Sequence, residues 1–501
     1  MMKSFVMKLA VIVFLLVGLV ACSSANESSQ SEPEGHDESG EQSANETEAT
    51  DLDHVTLTWY MIGTPQPDLE LVMEEVNAYT EEKINATVDL RMLDWGEYDE
   101  RMQVITTSGE AYDIAFTSSW ANNYALNARR GAFLELNDLL DEHGQEMKEL
   151  IDPAFLEGAQ VDGKLYAVPT NKEVGQQAVL SFNNELVEKH NLDLSSVHSL
   201  ADLEPLLAVI KEEESDVTPI ATFDAYLPFD SILQEEMPFA FRLEGNTNEV
   251  INKYEEDITM ETLKTMHDYY KKGYIRPDAA TSTDSWPLET PNWFVRKELY
   301  QPYAELIWTR TAGYEIATRP LHEPYIFNNS VTGSMQAISA TSKNPERAMM
   351  FLNLLNSDPY LRNLLDKGIE GVHYEELEDG TINDLPARVE RYNMPSFAIG
   401  NQLILKLYED DPQDKWEAFE AFNESAIPSP ALGFYFDSNP VRTEIAAISN
   451  VTSEFSPALL KGAVDPEEYL PLFNDKLNEA GLQKVIDEMQ RQFDEWQELN
   501  Q

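Results

Sequence analysis

Cysteine is almost absent from this sequence, which contains a single one, Cys22, in 501 residues. A disulfide bond within the chain is therefore excluded. A nucleophilic thiol elsewhere in the chain is excluded for the same reason. Because Cys22 lies near the N-terminus, its role has to be inferred from the residues around it.

Motifs that mark catalytic or cofactor sites are also missing. The sequence has no H-E-x-x-H, no G-x-S-x-G, no P-loop and no G-x-G-x-x-G, and its eight histidines do not pair at metal-ligand spacing. Two carboxylates suffice for a glycosidase, but among 90 acidic residues such pairs arise by chance. We therefore expect a protein that is not an enzyme and that has no cofactor and no metal.

Basic residues are scarce, with 35 Lys and Arg against 90 Asp and Glu, for a formal net charge of −55. Nucleic acid and anionic lipid surfaces would repel such a chain, so neither is an expected partner. The acidity suits either a saline or alkaline environment or a cationic substrate. Its even spread along the chain favours the environmental explanation.

An apolar run at residues 9–20 follows Lys3 and Lys8 and is shorter than the roughly 20 residues that a membrane-spanning helix needs. Its length and flanks predict a secretory signal peptide over 1–21. Leu19-Val20-Ala21-Cys22 resembles the bacterial lipobox, which implies cleavage before Cys22 and a lipid on its sulfur. Residues 22–51 are polar and acidic and predict a disordered tether. The expected location is the outer face of the cell membrane, with the lipid bilayer as a partner.

Strands and helices alternate in the following part of the chain. Residues 55–62, 86–93 and 112–116 predict strands, and residues 68–83 and 99–107 predict helices. This β-α-β-α-β order predicts a parallel sheet with crossover helices. About 450 residues are too many for one core, so we expect two or more lobes.

Binding sites in open parallel sheets lie beyond the carboxyl ends of the strands. The candidates near two such ends are Trp59, Tyr60, Ser118 and Trp120. Packing of the sheet on its helices is the alternative role for Trp59 and Trp120. The sequence leaves both roles open.

Several segments resemble the extracellular solute-binding proteins that serve ABC importers, in the sugar-binding branch. Val161-Asp-Gly-Lys-Leu-Tyr-Ala-Val-Pro169 resembles the D-G-K-x-Y-G-x-P strand, and Thr341-Ser-Lys-Asn-Pro-Glu-Arg-Ala348 resembles S-K-N-P-E-x-A. Gly368-Ile-Glu-Gly-Val-His-Tyr374 and Gly433-Phe-Tyr-Phe-Asp437 are similar to motifs of oligosaccharide-binding lipoproteins with an extra C-terminal domain of unassigned function. The likeness extends over essentially all of the chain after the tether.

The resemblance implies an α/β, two-lobed, periplasmic-binding-protein-like fold of type II with a mainly helical C-terminal extension. The expected first lobe is 52–168 plus about 300–343. The expected second lobe is 169–299 plus about 344–501, including a C-terminal module from about 366. An oligosaccharide would bind between the lobes, and ABC permease subunits would receive it.

A sugar cleft needs flat aromatic rings and a few polar groups. Asn171, Asp224 and Tyr325 are further candidates because each follows a predicted strand or crossing. Trp286 and Trp293 lie in a segment that the resemblance puts near the cleft, and Glu370 and Tyr374 belong to a compact polar-aromatic group. Surface packing in the second lobe is the alternative role for Trp286 and Trp293. Two other functions stay open, a surface glycoside hydrolase or lyase and a ligand sensor for a membrane kinase.

Overall fold

The computed structural model of the protein describes residues 52–282 and 286–499. The predicted signal peptide, Cys22 and the tether lie outside these residues. The described chain folds into two α/β lobes, each built around its own sheet and its own apolar core. No helix in this part of the chain is long and apolar enough to cross a bilayer.

The sheet of the first lobe has five strands, in the order Ala86–Leu93, Val55–Ile62, Ile114–Thr117, Met335–Ile338 and Ala167–Pro169. The first three strands are parallel, as predicted, and Met335–Ile338 is antiparallel to both of its neighbours. Residues 59–62 are all buried, which is typical of a parallel sheet covered on both faces by helices.

The sheet of the second lobe has four strands, in the order Ile316–Pro320, Ala178–Asn183, Trp293–Leu299 and Thr218–Ile220. Ala178–Asn183 is antiparallel to both of its neighbours, whereas Trp293–Leu299 and Thr218–Ile220 are parallel. A smaller antiparallel sheet lies in the same lobe and consists of Phe229–Ser231, Phe239–Arg242 and Ile251–Asn252.

Two C-terminal helices, Arg442–Leu460 and Pro466–Glu479, pack on the helix Asp257–Lys271 of the second lobe, and a third, Leu482–Leu499, packs on both of them. Their buried side chains belong to the same apolar core as the second sheet. The C-terminal helices are therefore a layer of the second lobe and have no separate core.

Helices and short strands complete the two lobes. The remaining helices are Leu69–Ile84, Tyr98–Ser108, Tyr124–Arg129, Asn137–His143, Gln145–Leu150, Pro153–Gly158, Asn184–Lys189, Glu204–Glu213, Ala304–Ala312, Asn328–Val331, Pro345–Ser357, Pro359–Lys367, Pro386–Arg391 and Lys415–Ser425. The remaining strands are Gln160–Val161, Lys164–Leu165, Tyr325–Ile326, Tyr374–Glu376, Ile382–Asp384 and Ile427–Pro428. Short 3₁₀ turns occupy Leu200–Leu203, Lys253–Glu255, Ser396–Ala398 and Asn439–Val441.

The chain passes between the lobes three times, at about 170–177, 321–334 and 402–433, and these crossing segments bond to one another. Gln176 and Tyr325 exchange backbone hydrogen bonds of 2.7 and 2.9 Å. Tyr325–Ile326 also pairs with Ile427–Pro428. Backbone hydrogen bonds therefore join the crossing segments into one connecting region between the lobes.

Three segments lie in a different lobe from the one expected. The helices Pro345–Ser357 and Pro359–Lys367, expected in the second lobe, pack in the core of the first. The same core contains Tyr392, Met394, Ala398 and Ile399 of the following segment, which was expected in the C-terminal module of the second lobe. The strand Ile316–Pro320, expected in the first lobe, pairs with Ala178–Asn183 in the second. An apolar pattern shows that an element is buried but does not show which sheet it is buried against.

Candidate functional site

A cavity of about 920 Å³ lies between the two lobes. The first lobe contributes Ser119 and the helix Tyr124–Arg129, and the second lobe contributes residues between 224 and 236. Residues 327–329 of a crossing segment and residues 434–439 complete the wall. This volume is within the range of about 300–1,000 Å³ that is common for small-molecule sites.

Two buried titratable groups line this cavity on the second-lobe side. Burial raises the pKa of the Asp230 carboxyl to about 6, and the Ser429 hydroxyl donates a hydrogen bond to it. Burial lowers the pKa of Lys253 to about 8, and its ammonium donates to the Ser231 hydroxyl at 2.9 Å. The cavity therefore offers both acceptors and donors at fixed positions.

A stacked pair of rings, Tyr226 and His322, forms another part of the lining, with centroids 4.9 Å apart and planes 8° apart. The backbone N–H of Ala178 donates to His322 Nε2 at 2.8 Å, so Nδ1 carries the proton and donates to the carbonyl of Glu323. Burial lowers the pKa of His322. A neutral imidazole therefore lies against the tyrosine ring.

An exposed aromatic surface lies at the carboxyl end of the first sheet. This aromatic platform consists of Trp95, Trp120 and Phe397. The two indole rings lie 6.3 Å apart with planes 20° apart, and Trp120 is 50% exposed. The Trp120 indole N–H donates to the carbonyl of Gly333 at 2.8 Å, which fixes its ring. Flat rings held in this way are suited to the apolar faces of sugars.

Five of the predicted site residues lie at or beside the crossing segments and the cavity. Asp224 lines the cavity, where burial raises the pKa of its carboxyl, and Lys461 lies 3.8 Å away. Trp120 follows the cavity-lining Ser119. Ser118, Asn171 and Tyr325 are buried, and their contacts hold the loop 118–121 and the crossing segments in place.

Four other predicted residues lie inside the lobes. Trp59 is fully buried, donates to Gln336 Oε1 at 2.9 Å and packs on a phenylalanine ring of the first core. Tyr60 is buried and hydrogen-bonds Arg91. Trp293 is fully buried and packs with Trp286 in a small apolar cluster of the second lobe. These side chains pack within the lobes and do not line the cavity.

Glu370 and Tyr374 lie on the first lobe, away from the cavity lining. His373, between them, is fully buried, and its Nε2 lies 3.4 Å from Asp68. Asp68 also accepts hydrogen bonds from the Arg391 guanidinium, which holds the pKa of its carboxyl below the usual value. This group connects two parts of the first lobe.

Sequence reasoning missed two residues of the aromatic platform and part of the cavity wall. Trp95 directly follows the strand Ala86–Leu93 and its terminal Asp94, so the strand-end rule could have found it. Phe397 carries no comparable signal, because a long loop brings it in from the C-terminal half. The wall at 434–439 overlaps the family-like segment Gly433–Asp437, but that likeness did not assign it to the site. In the described part of the chain, no group of three or more His, Cys, Asp or Glu is placed to hold a metal ion.

Known protein families match most of this architecture. The bacterial extracellular solute-binding protein family matches residues 74–290, and a domain of unknown function (DUF3502) matches residues 430–498. A Streptococcus pneumoniae protein named carbohydrate ABC transporter substrate-binding protein is 36% identical in an alignment of 503 positions that covers 99% of this chain and 98% of that protein.

Solved structures confirm the predicted two-lobed fold. The crystal structure of the N-glycan transport solute-binding protein NgtS from Streptococcus pneumoniae is 36% identical and superposes with a TM-score of 0.82, covering 89% of this chain and all of that one. The complex of NgtS with Man5GlcNAc gives a TM-score of 0.68 at 36% identity, over 89% and 99% of the two chains. Identity at this level over nearly the full length places this protein in the family of extracellular solute-binding proteins of ABC transporters, in the sugar-binding group that carries a C-terminal DUF3502 region.

Proposed function

We propose that this protein captures an oligosaccharide in the cleft between its lobes and delivers it to the permease of an ABC transporter. The observation that carries the proposal is the cavity of about 920 Å³, which is lined from both lobes and contains fixed polar groups. Membership of the sugar-binding family supports the same function. The aromatic platform, whose Trp120 directly follows the cavity-lining Ser119 in sequence, would add ring faces for sugar C–H groups.

A mannose-containing glycan is the first ligand to test. NgtS, 36% identical to this chain, forms a complex with Man5GlcNAc. The cavity of this protein presents carboxylates, an ammonium group and amide groups, which can hydrogen-bond the many hydroxyls of a neutral sugar. Discrimination among glycans would follow from which of these groups are satisfied when the sugar is bound.

Closure of the lobes on the ligand is part of the proposal. At equal sequence identity, this structure superposes with a TM-score of 0.68 on NgtS in complex with Man5GlcNAc and with a TM-score of 0.82 on another NgtS crystal structure. Leu126 of the first lobe and Leu233 and Leu299 of the second are exposed in the cavity wall. Closure would remove such side chains from water and would shift the population toward the ligand-bound form.

We also propose that a lipid on Cys22 and the acidic segment 22–51 hold the protein at the outer face of the membrane. The support is the lipobox-like sequence before Cys22. Two or more acyl chains make a stable anchor, where one chain would bind only marginally. Mass spectrometry of the N-terminal peptide tests this, and Cys22→Ala should release the protein into the medium. An unlipidated Cys22 in the membrane fraction would contradict the anchor.

Isothermal titration with Man5GlcNAc, followed by chromatography of the recovered glycan, tests the function. Saturable binding with intact glycan is expected, since the relatives are named as binding proteins and not as enzymes. Cleavage of the glycan would support the hydrolase or lyase alternative instead. Absence of binding to any of a panel of neutral oligosaccharides would contradict the proposed function.

A further inference from the structure

The C-terminal region that matches the domain of unknown function, residues 430–498, forms one side of the ligand cavity. Its cavity-lining residues are Ala431, Phe434, Tyr435, Phe436, Asp437, Ser438, Asn439 and Leu460. Most of them lie in the stretch that precedes the helix Arg442–Leu460. A domain added only to the outside of a lobe would leave the cavity wall unchanged.

The stretch 431–436 is bonded to both lobes. On the first-lobe side the Tyr435 hydroxyl donates to the carbonyl of Gly158, and the Arg129 guanidinium donates to the carbonyl of Tyr435. On the second-lobe side the Phe434 ring packs on Phe241 and Phe493. The wall is therefore fixed where the chain passes from one lobe to the other.

A polar turn, defined as Asp437, Ser438 and Asn439, continues this wall. The side-chain amide of Gln492 clamps its first residue: the backbone N–H of Asp437 donates to Gln492 Oε1 at 2.8 Å, and Gln492 Nε2 donates to the carbonyl of Asp437 at 3.0 Å. Asp437 Oδ1 accepts from the backbone N–H of Asn439 at 3.1 Å and from its Nδ2 at 2.8 Å. Hydrogen bonds within the chain therefore hold the turn in place.

Unused hydrogen-bonding groups remain on the polar turn. The Ser438 hydroxyl has no hydrogen-bond partner among residues 52–282 and 286–499, and it does not cap the following 3₁₀ turn. The Asp437–Asn439 bonds engage one carboxylate oxygen and the amide NH₂, which leaves the other carboxylate oxygen and Asn439 Oδ1 as acceptors. Donors and acceptors at fixed positions in a cavity wall are suited to sugar hydroxyls.

We infer that the C-terminal region is an integral part of the ligand site, and that its polar turn hydrogen-bonds hydroxyl groups of the captured sugar. This inference rests on the proposed function. The first-lobe helix Tyr124–Arg129 lines the same cavity, so a bound sugar would be held between that helix and the turn. The region would then help to determine which oligosaccharide is bound.

Isothermal titration of the double variant Ser438→Ala/Asn439→Ala with Man5GlcNAc tests the inference. Loss of two hydrogen-bonding side chains should weaken binding by about 5- to 50-fold, given the usual net value of such bonds. The matched control is Ser453→Ala on the helix Arg442–Leu460, an exposed serine that bonds only its own helix, and it should leave the affinity unchanged. Thermal melts should show that all three proteins are folded.

The outcomes separate the inference from the function on which it rests. Unchanged affinity of the folded double variant would overturn the inference. This holds even if the variant fails in transport, because that result would assign the region to docking on the permease and not to ligand binding. Absence of Man5GlcNAc binding by the unaltered protein, and of binding to the oligosaccharide panel, would overturn the proposed function and the inference together.

Discussion

Trp120 and Trp293 are the same residue type in opposite environments. Trp120 is half-exposed beside Trp95, whereas Trp293 is fully buried among apolar side chains. Trp120 was a candidate for the ligand site because it lies near the end of a strand, and Trp293 because the family resemblance puts its segment near the cleft. Sequence position could identify the strand ends, but only the packing of neighbouring elements decides which ring reaches solvent.

We expect Trp120→Ala to weaken oligosaccharide binding by about tenfold, or ~1.4 kcal/mol, because the sugar loses one ring of the aromatic platform. The free energy of unfolding should change little, since the ring is half-exposed. Titration calorimetry and urea unfolding measure the two effects. Tyr469→Ala, which removes an exposed ring on a C-terminal helix, is the control and should change neither. Unchanged affinity would remove Trp120 from the site.

Asp230 gives a prediction about pH. Burial raises the pKa of Asp230 to about 6 from 3.8, so folding favours the protonated carboxyl. The stability that this protonated carboxyl contributes to the fold is lost as pH rises through 6. Asp230→Asn keeps an acceptor for Ser429 and avoids the buried charge. The variant should be more stable than the wild type at pH 7.5 by up to about 3 kcal/mol, with almost no difference near pH 4. Urea unfolding at several pH values measures this, and a difference independent of pH would contradict it.

The bounds of individual strands and helices were predicted better than the elements against which they pack. The strands Val55–Ile62 and Ala86–Leu93 have the predicted bounds because their β-branched and aromatic residues are flanked by clear turn signals. The placement of Ile316–Pro320 and Pro345–Ser357 was wrong because their partners lie more than 100 residues away in sequence. The hydrophobic periodicity and the secondary-structure propensity of a segment contain no information about partners so distant in sequence.

Gly462 connects the C-terminal helices to the second lobe. Its φ is +71°, and a Cβ there would lie 2.3 Å from the backbone oxygen of Met266. Gly462→Ala should therefore destabilise the fold by at least about 2 kcal/mol more than Gly245→Ala. Gly245 has a φ of +76° but no atom within 4 Å of such a Cβ, so the pair separates the clash from the backbone strain. Equal unfolding free energies for the two variants would contradict this account of the contact.

A buried charge cluster fixes the loop that carries Phe397. Arg362 and Asp366 are fully buried 2.9 Å apart, and the Arg362 guanidinium donates to the carbonyl of Ser396 at 2.9 Å. Arg362→Met should cost about 3–5 kcal/mol in unfolding free energy because it leaves a buried carboxylate with a weaker set of partners. Arg491→Met, which removes two surface ion pairs with Glu488 and Glu495, should cost less than about 1 kcal/mol. Chemical denaturation measures both losses. If Arg362→Met lowers the free energy of unfolding no more than Arg491→Met does, the buried ion pair does not stabilise the fold.

At the scale of the whole molecule, the family resemblance predicted two lobes and an oligosaccharide-binding function, and the comparisons confirm both at the level of the family. The cavity itself was not predictable in detail. Its wall combines the helix Tyr124–Arg129, residues between 224 and 236 and the stretch 434–439, which come from three distant parts of the chain. Three crossings between the lobes bring them together, and no local pattern in the sequence encodes those crossings.

Small-angle X-ray scattering with and without saturating Man5GlcNAc tests capture by closure most directly. We predict a smaller radius of gyration with the glycan, and full recovery of the glycan uncleaved. The expectation follows from exposed leucines on both walls of the cavity and from the different superpositions on the two NgtS structures. An unchanged radius of gyration with the glycan demonstrably bound, or consumption of the glycan, would contradict the account.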